Sequence, residues 1–242
     1  MASGEAAVNP NKIFVLTGAG VSAESGLSTF RDTGGLWTHY KVEDVASLAG
    51  YERDPARVLE FYNLRRDIHR DVKANPAHEA LGRLQRAWAA RGGEVTICTQ
   101  NIDHLHEQGG AENVIHMHGE LGKVRCHDCG DVTAADGELS LALGCVACGR
   151  IGGLRPHVVW FGEVPLEMDL IYEKLAGADL FVSIGTSGSV YPAAGFVAAA
   201  RSGGVPTMEI NLAPSENAQL FTFTRYGKAS EAVPAWVSQL VG

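Results

Sequence analysis

Apolar and polar positions form two different patterns along the chain, and each pattern predicts a different kind of element. Short apolar runs without a helical period predict buried parallel strands at residues 13–17, 95–99, 180–186 and 207–211. Longer stretches with a helical apolar pattern predict helices at residues 77–92, 166–177 and 192–204. Strands that alternate with helices predict an α/β fold built on a parallel sheet.

Polar residues and glycines cluster where each predicted strand ends. Residues 18–23, GAGVSA, follow the first strand and fit the pattern G-x-G-x-x-A. The sequence QNID begins at Gln100 after the second strand, GTS ends the third at residues 185–187, and Asn211 ends the fourth. Ligands of open α/β sheets bind at the carboxyl ends of strands, so these four segments predict one crevice.

The glycine-rich turn suits the pyrophosphate of a dinucleotide, because its amides can approach the anion closely. The chain does not continue as an ordinary dehydrogenase would, with a second strand and an acidic ribose ligand about 20 residues on. Residues 25–37, SGLSTFRDTGGLW, instead form a polar loop with two aromatics and an arginine. We predict a bound dinucleotide, with this loop folded over it.

Composition and charge narrow the class of protein. The 242 residues are 45% hydrophobic and 20% charged, which is typical of a soluble globular protein. A net charge of −8, with no block of lysine and arginine, disfavours a nucleic-acid partner. Residues 1–12 lack an apolar signal region, and no apolar run approaches the roughly 20 residues of a membrane span. We therefore expect a cytoplasmic protein that uses neither nucleic acid nor membrane.

Four of the five cysteines form two C-x-x-C pairs with 15 residues between them. The four are Cys126, Cys129, Cys145 and Cys148. This spacing is typical of a structural zinc site in which protein thiolates fill every position. Disulfides would need an oxidising compartment, and a thioredoxin-like motif would need one C-x-x-C on a βα unit. We predict one structural zinc ion, with Cys98 buried in a strand.

Two other segments leave alternatives open. His116 and His118 alternate in VIHMHGE, so on a strand they face opposite sides, and either could be a general base. Tyr62 and Arg65 stand three apart in FYNLRRDIHR and share one face of a helix. That face is either an ordinary solvated surface or a phenol and a guanidinium directed at an anion, and the segment alone does not decide.

Taken together, the segments resemble the sirtuins. The resemblance rests on GAGVSAESGLSTFRDTGGLW, TQNIDHLHEQGG, HMHGE, both C-x-x-C pairs, HVVWFGE, GTSGSVYPAAGF and EINL, in the family's order and spacing. It is greatest to the bacterial class III sirtuins, which are NAD-dependent protein-lysine deacylases. It implies a Rossmann-like large domain, a small zinc-binding domain, and NAD as co-substrate. One departure is Gly188, where many members carry serine.

The resemblance assigns roles residue by residue, with His118 as the catalytic base. The implied NAD-binding residues are Gly18, Ala19, Gly20, Ser22, Ala23, Glu24, Thr29, Phe30, Arg31, Trp37, Gln100, Asn101, Ile102, Asp103, Gly185, Thr186, Ser187, Asn211 and Ala229. The implied substrate-binding residues are Tyr62, Arg65, Val159, Phe161, Gly162 and Glu163. The implied substrate is an acyl-lysine peptide, bound as an extended strand beside HVVWFGE.

The implied reaction transfers the lysine acyl group to the ADP-ribose part of NAD, giving nicotinamide, free lysine and 2′-O-acyl-ADP-ribose. His118 would act as general base on a ribose hydroxyl. Tyr62 and Arg65 would favour succinyl and malonyl groups by binding their carboxylate, with acetyl also accepted. The alternatives are a mono-ADP-ribosyltransferase on this scaffold, an NAD-binding dehydrogenase, and a zinc-ribbon nucleic-acid module. The acidic loop at residues 130–144 disfavours the last.

We expect residues 1–11 to be a flexible tail and residues 12–242 to be the catalytic domain, acting as a monomer. The Rossmann-like core would comprise residues 12–38, 76–118 and 158–242. The small domain would combine a helical insert, residues 39–75, with a zinc module, residues 119–157.

Overall fold

The computed structural model describes residues 10–27 and 39–242 of the chain, which contain two sheets. The main sheet has six parallel strands in the order β3-β2-β1-β7-β8-β9. These strands are β1 (Lys12–Thr17), β2 (Glu94–Thr99), β3 (Ile115–His116), β7 (Leu180–Ile184), β8 (Thr207–Asn211) and β9 (Phe223–Tyr226). The second sheet is antiparallel, in the order β5-β4-β6, with strands β4 (Gly119–Cys126), β5 (Val132–Ala134) and β6 (Leu154–Val158).

Helices cover both faces of the main sheet, which explains why its central strands are almost continuously apolar. One face packs against α4 (Pro76–Ala89) and α8 (Ala229–Val241). The opposite face packs against α6 (Met168–Ala176) and α7 (Phe196–Ser202). Helix α4 begins at an asparagine cap, since Asn75 accepts a hydrogen bond from the Ala77 amide at 2.9 Å, and Pro76 fits its first position.

Three helices between β1 and α4 lie beside the small sheet. They are α1 (Val42–Val45), α2 (Leu48–Arg53) and α3 (Pro55–His69). Phe61 and Tyr62 on α3 are fully buried in a cluster that includes Trp160. The other face of α3 holds the loop between β5 and β6, because the Asn63 side chain exchanges two 2.9 Å hydrogen bonds with the backbone of Leu139. Helix α5 (Leu105–Gln108) is a single turn after β2.

The predicted α/β fold with a parallel sheet and a smaller cysteine-containing part is confirmed. The four predicted strands coincide with β1, β2, β7 and β8, although β7 ends at Ile184, before the predicted residue 186. The helix predicted at residues 192–204 is shorter, because α7 follows a 3₁₀ turn at Ala193–Gly195. The division into large and small domains at the stated residues stays a prediction. Within the described ranges, every helix is too short or too polar to cross a membrane.

Candidate active site

The turn after β1 lies directly against the end of β7. A Cβ added to Gly18 or to Gly20 would lie 2.8 Å from the carbonyl oxygen of Gly185, and the Gly20 amide donates to that oxygen at 2.9 Å. Gly185 itself has φ of 63°, in the region that favours glycine. These glycines are therefore required for contact between two strand ends, a reason that the dinucleotide pattern alone does not reveal.

Ser22 joins the first strand end to the second. The Ser22 hydroxyl donates to Asp103 Oδ2 at 3.1 Å and accepts from Asn101 Nδ2 at 3.1 Å. Asn101 Nδ2 also contacts the Gly18 carbonyl at 3.2 Å. Burial raises the pKa of Asp103, even though the Leu105 amide and Ser22 both donate to its carboxylate. Three of the residues assigned to NAD thus form one buried hydrogen-bonded group at the sheet edge.

Two histidines that the sequence did not single out support this group. His78 Nε2 lies 3.2 Å from Ser22 Oγ, and His106 Nε2 lies 2.9 Å from Thr17 Oγ1. Both rings are buried, so desolvation lowers the pKa of His78 to about 4 and that of His106 well below its ordinary value. Both imidazoles are therefore neutral near pH 7. Histidine on an apolar helix face gives no sequence signal that separates such a support from ordinary packing.

The residues assigned to the adenosine side lie at the ends of β7 and β8. Asn211 Nδ2 donates to the Thr186 carbonyl at 2.8 Å, which holds these strand ends together. Glu24 accepts from the amide and hydroxyl of Ser230 at 2.8 and 3.0 Å, so its carboxylate lies at the first turn of α8, beside Ala229. Gly188 has φ of 73°, and a Cβ there would lie 2.3 Å from Asn217 Oδ1. This contact accounts for glycine in place of serine.

His116 and His118 differ in environment although only Met117 separates them. His118 Nδ1 lies 2.9 Å from the Gln100 carbonyl oxygen, which can only accept, so Nδ1 carries the proton and Nε2 the lone pair. Burial lowers the pKa of His118, which keeps that lone pair available at neutral pH. His116 Nε2 lies 2.8 Å from Glu107 Oε1; burial opposes protonation, but this ion pair outweighs it and raises the pKa. Of the two, His118 has the electronic state that a general base requires.

Tyr62 and Arg65 share one face of α3, as the spacing predicted. The Arg65 guanidinium carbon lies 5.8 Å from the centre of the Tyr62 ring, and the side chain is partly buried. Burial lowers the pKa of Arg65, and the neighbouring Tyr62 hydroxyl and Asp103 carboxylate oppose this shift. The solvated alternative does not describe these residues, whereas it does describe Arg70, which directly follows α3 and is 71% exposed.

The segment HVVWFGE contains an ion-pair arrangement that the sequence did not indicate. Arg155, only 1% exposed, donates to both carboxylate oxygens of Glu163 at 2.7 and 2.9 Å. Arg125 adds a third bond to Glu163 at 2.9 Å. Glu163 was assigned to substrate, yet its carboxylate is engaged by these two arginines and by the Trp160 amide. The pairing lowers the pKa of Glu163 although burial opposes this.

The other residues assigned to the peptide lie along the edge between the two sheets. The Val159 amide donates to the His118 carbonyl at 2.9 Å, and the Phe161 amide donates to the Ala46 carbonyl at 2.9 Å. Phe161 is 55% exposed, and Gly162 has φ of 92°. Val159 therefore lies beside the candidate base and Phe161 is exposed, and the binding of a peptide to these residues stays a prediction. Thr29, Phe30, Arg31 and Trp37 lie outside the described residues.

The four predicted zinc ligands meet at one point. Their sulfur atoms all lie within 4.8 Å of one another, with Cys126 to Cys148 at 3.8 Å and Cys129 to Cys145 at 3.7 Å. A tetrahedral ion with zinc–sulfur bonds of about 2.3 Å places its ligands about 3.8 Å apart. Gly130 and Gly149 have φ of 77° and 75°, and each amide donates to the carbonyl of the first cysteine of its pair. The thiols fit a structural zinc ion with no position left for a reactant.

Comparison with known proteins agrees with this geometry. The profile of the Sir2 family matches residues 18–192. The chain belongs to the Sir2 family. An NAD-dependent protein deacylase of Caulobacter vibrioides is 58% identical over 230 residues, covering 95% of this chain and 97% of that protein.

Solved Sir2 structures have the same fold along nearly the whole chain. A Sir2 homologue in complex with NAD is 34% identical, with a TM-score of 0.87 and coverage of 96% of this chain and 90% of that one. A Sir2 protein with a deacetylated peptide and 3′-O-acetyl ADP ribose is 26% identical, with a TM-score of 0.76 and coverage of 96% and 94%. The predicted sirtuin resemblance is therefore confirmed.

Proposed function

We propose that this Sir2 protein is an NAD-dependent protein-lysine deacylase that favours acyl groups ending in a carboxylate. The deacylase class and the need for NAD are supported by relatives at 50–58% identity that are named NAD-dependent protein deacylases. Those relatives are named for deacylation, which does not favour the mono-ADP-ribosyltransferase alternative. The acyl preference is carried by one observation, the pairing of Tyr62 with Arg65 on the buried side of α3.

The donor set at the sheet edge suits a dinucleotide. Asn101 and Asp103 offer an amide and a carboxylate for ribose and carboxamide groups, and Asn211 with Thr186 offers polar atoms further along the same edge. When bound, NAD supplies nicotinamide as a leaving group and ribose hydroxyls as acyl acceptors. Among this chain's residues, Gly18 and Gly20 bring the strand ends together, and Ser22 fixes the direction of the Asp103 carboxylate.

His118 would hold the proton that leaves a ribose hydroxyl. Its Nδ1–H is anchored on Gln100, so Nε2 is the atom that accepts. Burial keeps the imidazole neutral before the reaction, and the Gln100 carbonyl stabilises the imidazolium afterwards. The role of His116 would be different, because Glu107 already engages its Nε2.

The acyl preference follows from charge. Arg65 retains its positive charge at neutral pH, since a guanidinium does not deprotonate in proteins. A succinyl or malonyl carboxylate could accept two hydrogen bonds from this group and one from the Tyr62 hydroxyl. The only oxygen of an acetyl group is its amide carbonyl oxygen, so acetyl-lysine has no carboxylate to accept from Arg65 and Tyr62. A partly buried cation therefore discriminates strongly between the two classes of acyl group.

The experiment compares kcat/KM for one peptide carrying acetyl-lysine or succinyl-lysine, with and without NAD. Arg65→Met should weaken desuccinylation by about 2–5 kcal/mol in transition-state stabilisation, the range for breaking a buried charge pair, and deacetylation by much less. Arg70→Met, at the exposed residue that directly follows α3, is the matched control and should change neither rate. Equal losses on both peptides would assign Arg65 a structural role, and turnover without NAD would contradict the deacylase class.

A further inference from the structure

We infer that Trp160 is a positioning residue for acyl specificity, because its indole N–H orients the Tyr62 hydroxyl as a donor towards a carboxylate on the substrate. The inference rests on the acyl preference proposed above. It adds the residue that orients the Tyr62 hydroxyl, one of the two groups proposed to bind the acyl carboxylate. Nothing in the spacing of FYNLRR or HVVWFGE connects the two segments, which lie 98 residues apart in sequence.

The direction of the hydrogen bond between Trp160 and Tyr62 follows from the chemistry of the indole group. Trp160 Nε1 lies 2.9 Å from the Tyr62 hydroxyl oxygen. An indole nitrogen can only donate, so the phenol oxygen must be the acceptor in this bond. The phenol's own proton must then point away from Trp160 and, because a guanidinium also only donates, away from Arg65 as well.

The phenol keeps this proton at neutral pH. Burial raises the pKa of Tyr62, which is 1% exposed, although Arg65 and the Trp160 bond act in the opposite direction. Tyr62 is therefore a donor whose oxygen already accepts from Trp160 and from Arg65. An anionic oxygen placed between the phenol and the Arg65 guanidinium would complete the hydrogen bonding of the hydroxyl.

The indole is itself held on several sides. The Arg155 guanidinium carbon lies 3.3 Å from the centre of the Trp160 ring, so the two planar groups are in contact. Arg155 cannot easily move, because Glu163 holds it with two hydrogen bonds and the Val158 carbonyl accepts a third at 2.9 Å. The Trp160 amide donates to the same Glu163 carboxylate at 2.8 Å. One buried ion pair thus fixes both the backbone and the ring of Trp160.

The test removes the indole N–H, together with the five-membered ring that carries it, with Trp160→Phe. We expect the ratio of kcat/KM for succinyl-lysine to that for acetyl-lysine to fall by about fivefold, the size of one neutral hydrogen bond. Tyr62→Phe should lower the same ratio, and the double variant Trp160→Phe with Tyr62→Phe should lower it no further than Tyr62→Phe alone. The change should appear mainly in KM for the succinylated peptide, since binding of the carboxylate is affected.

Trp88→Phe is the matched control. Trp88 is equally buried and its Nε1 donates to the Pro10 carbonyl at 3.0 Å, but it packs under the main sheet, away from α3. This variant also loses a buried indole bond and should leave the succinyl-to-acetyl ratio unchanged. A ratio unchanged in Trp160→Phe, or lowered as much in Trp88→Phe, or lowered additively in the double variant, would overturn the inference.

A spectroscopic measurement separates this inference from the proposed acyl preference. In ¹⁵N-labelled protein, the Trp160 indole N–H resonance should move when Tyr62→Phe removes its acceptor, whereas that of Trp88 should not. If the wild type fails to process succinyl-lysine, the proposed preference fails, whatever this resonance does. If the wild type prefers succinyl-lysine but the resonance does not move, the role of Trp160 alone is wrong.

Discussion

The two sides of the crevice hold their functional side chains by different physical means. On the main-sheet side, neutral histidines and hydroxyls support the strand ends, as in the contacts of His78 with Ser22 and of His106 with Thr17. On the small-sheet side, the ion pair Arg155–Glu163 and the four clustered thiols stabilise the segments instead. The supporting histidines His78 and His106 on the first side stay uncharged, whereas the second side depends on an ion pair and on thiols that fit a metal ion. The two sides should therefore fail under different perturbations.

Loss of the metal should have the largest effect. Cys126→Ser and Cys145→Ser should each release zinc and unfold the antiparallel sheet, because structural zinc binding contributes about 10 kcal/mol or more to the folding of small zinc domains. Metal content by atomic absorption and circular dichroism melting measure this. The variant Cys98→Ala, whose substitution lies in the core of the main sheet, should retain the zinc ion bound by the other four cysteines. Stoichiometric zinc in both serine variants would show that the thiols do not hold the ion.

Removal of the candidate base should have the next largest effect. His118→Ala should lower kcat by about 10²- to 10⁴-fold on both acetyl- and succinyl-lysine peptides, the usual contribution of a general base. Steady-state release of deacylated peptide measures it. His116→Gln, which breaks the ion pair with Glu107, should have a smaller effect. Normal turnover by His118→Ala would remove this residue from the mechanism.

Acid should destabilise the main-sheet side through its neutral histidines. The pKa of His78 is about 4 in the folded chain against 6.5 for an ordinary histidine, so the unfolded chain binds more protons between these values. The stabilisation is complete above pH 6.5 and is lost as the pH falls towards 4, by about 3 kcal/mol for this residue. Urea unfolding at pH 7.5, 6 and 5 measures the loss.

Acid also releases the metal, but it does so equally in the wild type and in the variant His78→Gln. A comparison of these two proteins therefore isolates the contribution of His78. The free energy of unfolding of the variant should depend less steeply on pH between 6.5 and 4 than that of the wild type. Equal slopes would mean that His78 is not kept neutral by burial.

Much of the fold was predictable because the main sheet is covered on both faces. A strand buried on two sides has to be apolar throughout, and such runs located β1, β2, β7 and β8 to within two residues. The zinc site was also predictable, since the spacing of its ligands is set by bond lengths within a short segment. The choice between His116 and His118 did not follow from the alternation of side chains, which gives two equivalent positions, and rested on the resemblance to sirtuins alone.

The contacts that the sequence missed join segments far apart in the chain. Trp160 and Tyr62 meet only because β6 and α3 pack together, and His78 reaches Ser22 only because α4 lies beneath the end of β1. The spacing of apolar residues and the short sequence motifs indicate local geometry only, so they do not predict contacts between distant segments. The pair Arg155–Glu163 was missed as well although only eight residues separate its members, because the position of Glu163 in a motif gave no sign of its partner.

By itself the sequence determined the parallel sheet, the polar residues at its strand ends, the four clustered thiols and, through its resemblance to sirtuins, the family. Each of these depends on local burial, local spacing or ordered motifs. The tertiary structure decided which nitrogen of His118 is available, which side of α3 is buried, and which partner fixes the direction of the Tyr62 hydroxyl. These depend on hydrogen bonds and desolvation imposed by distant segments, which exist only once the chain has folded.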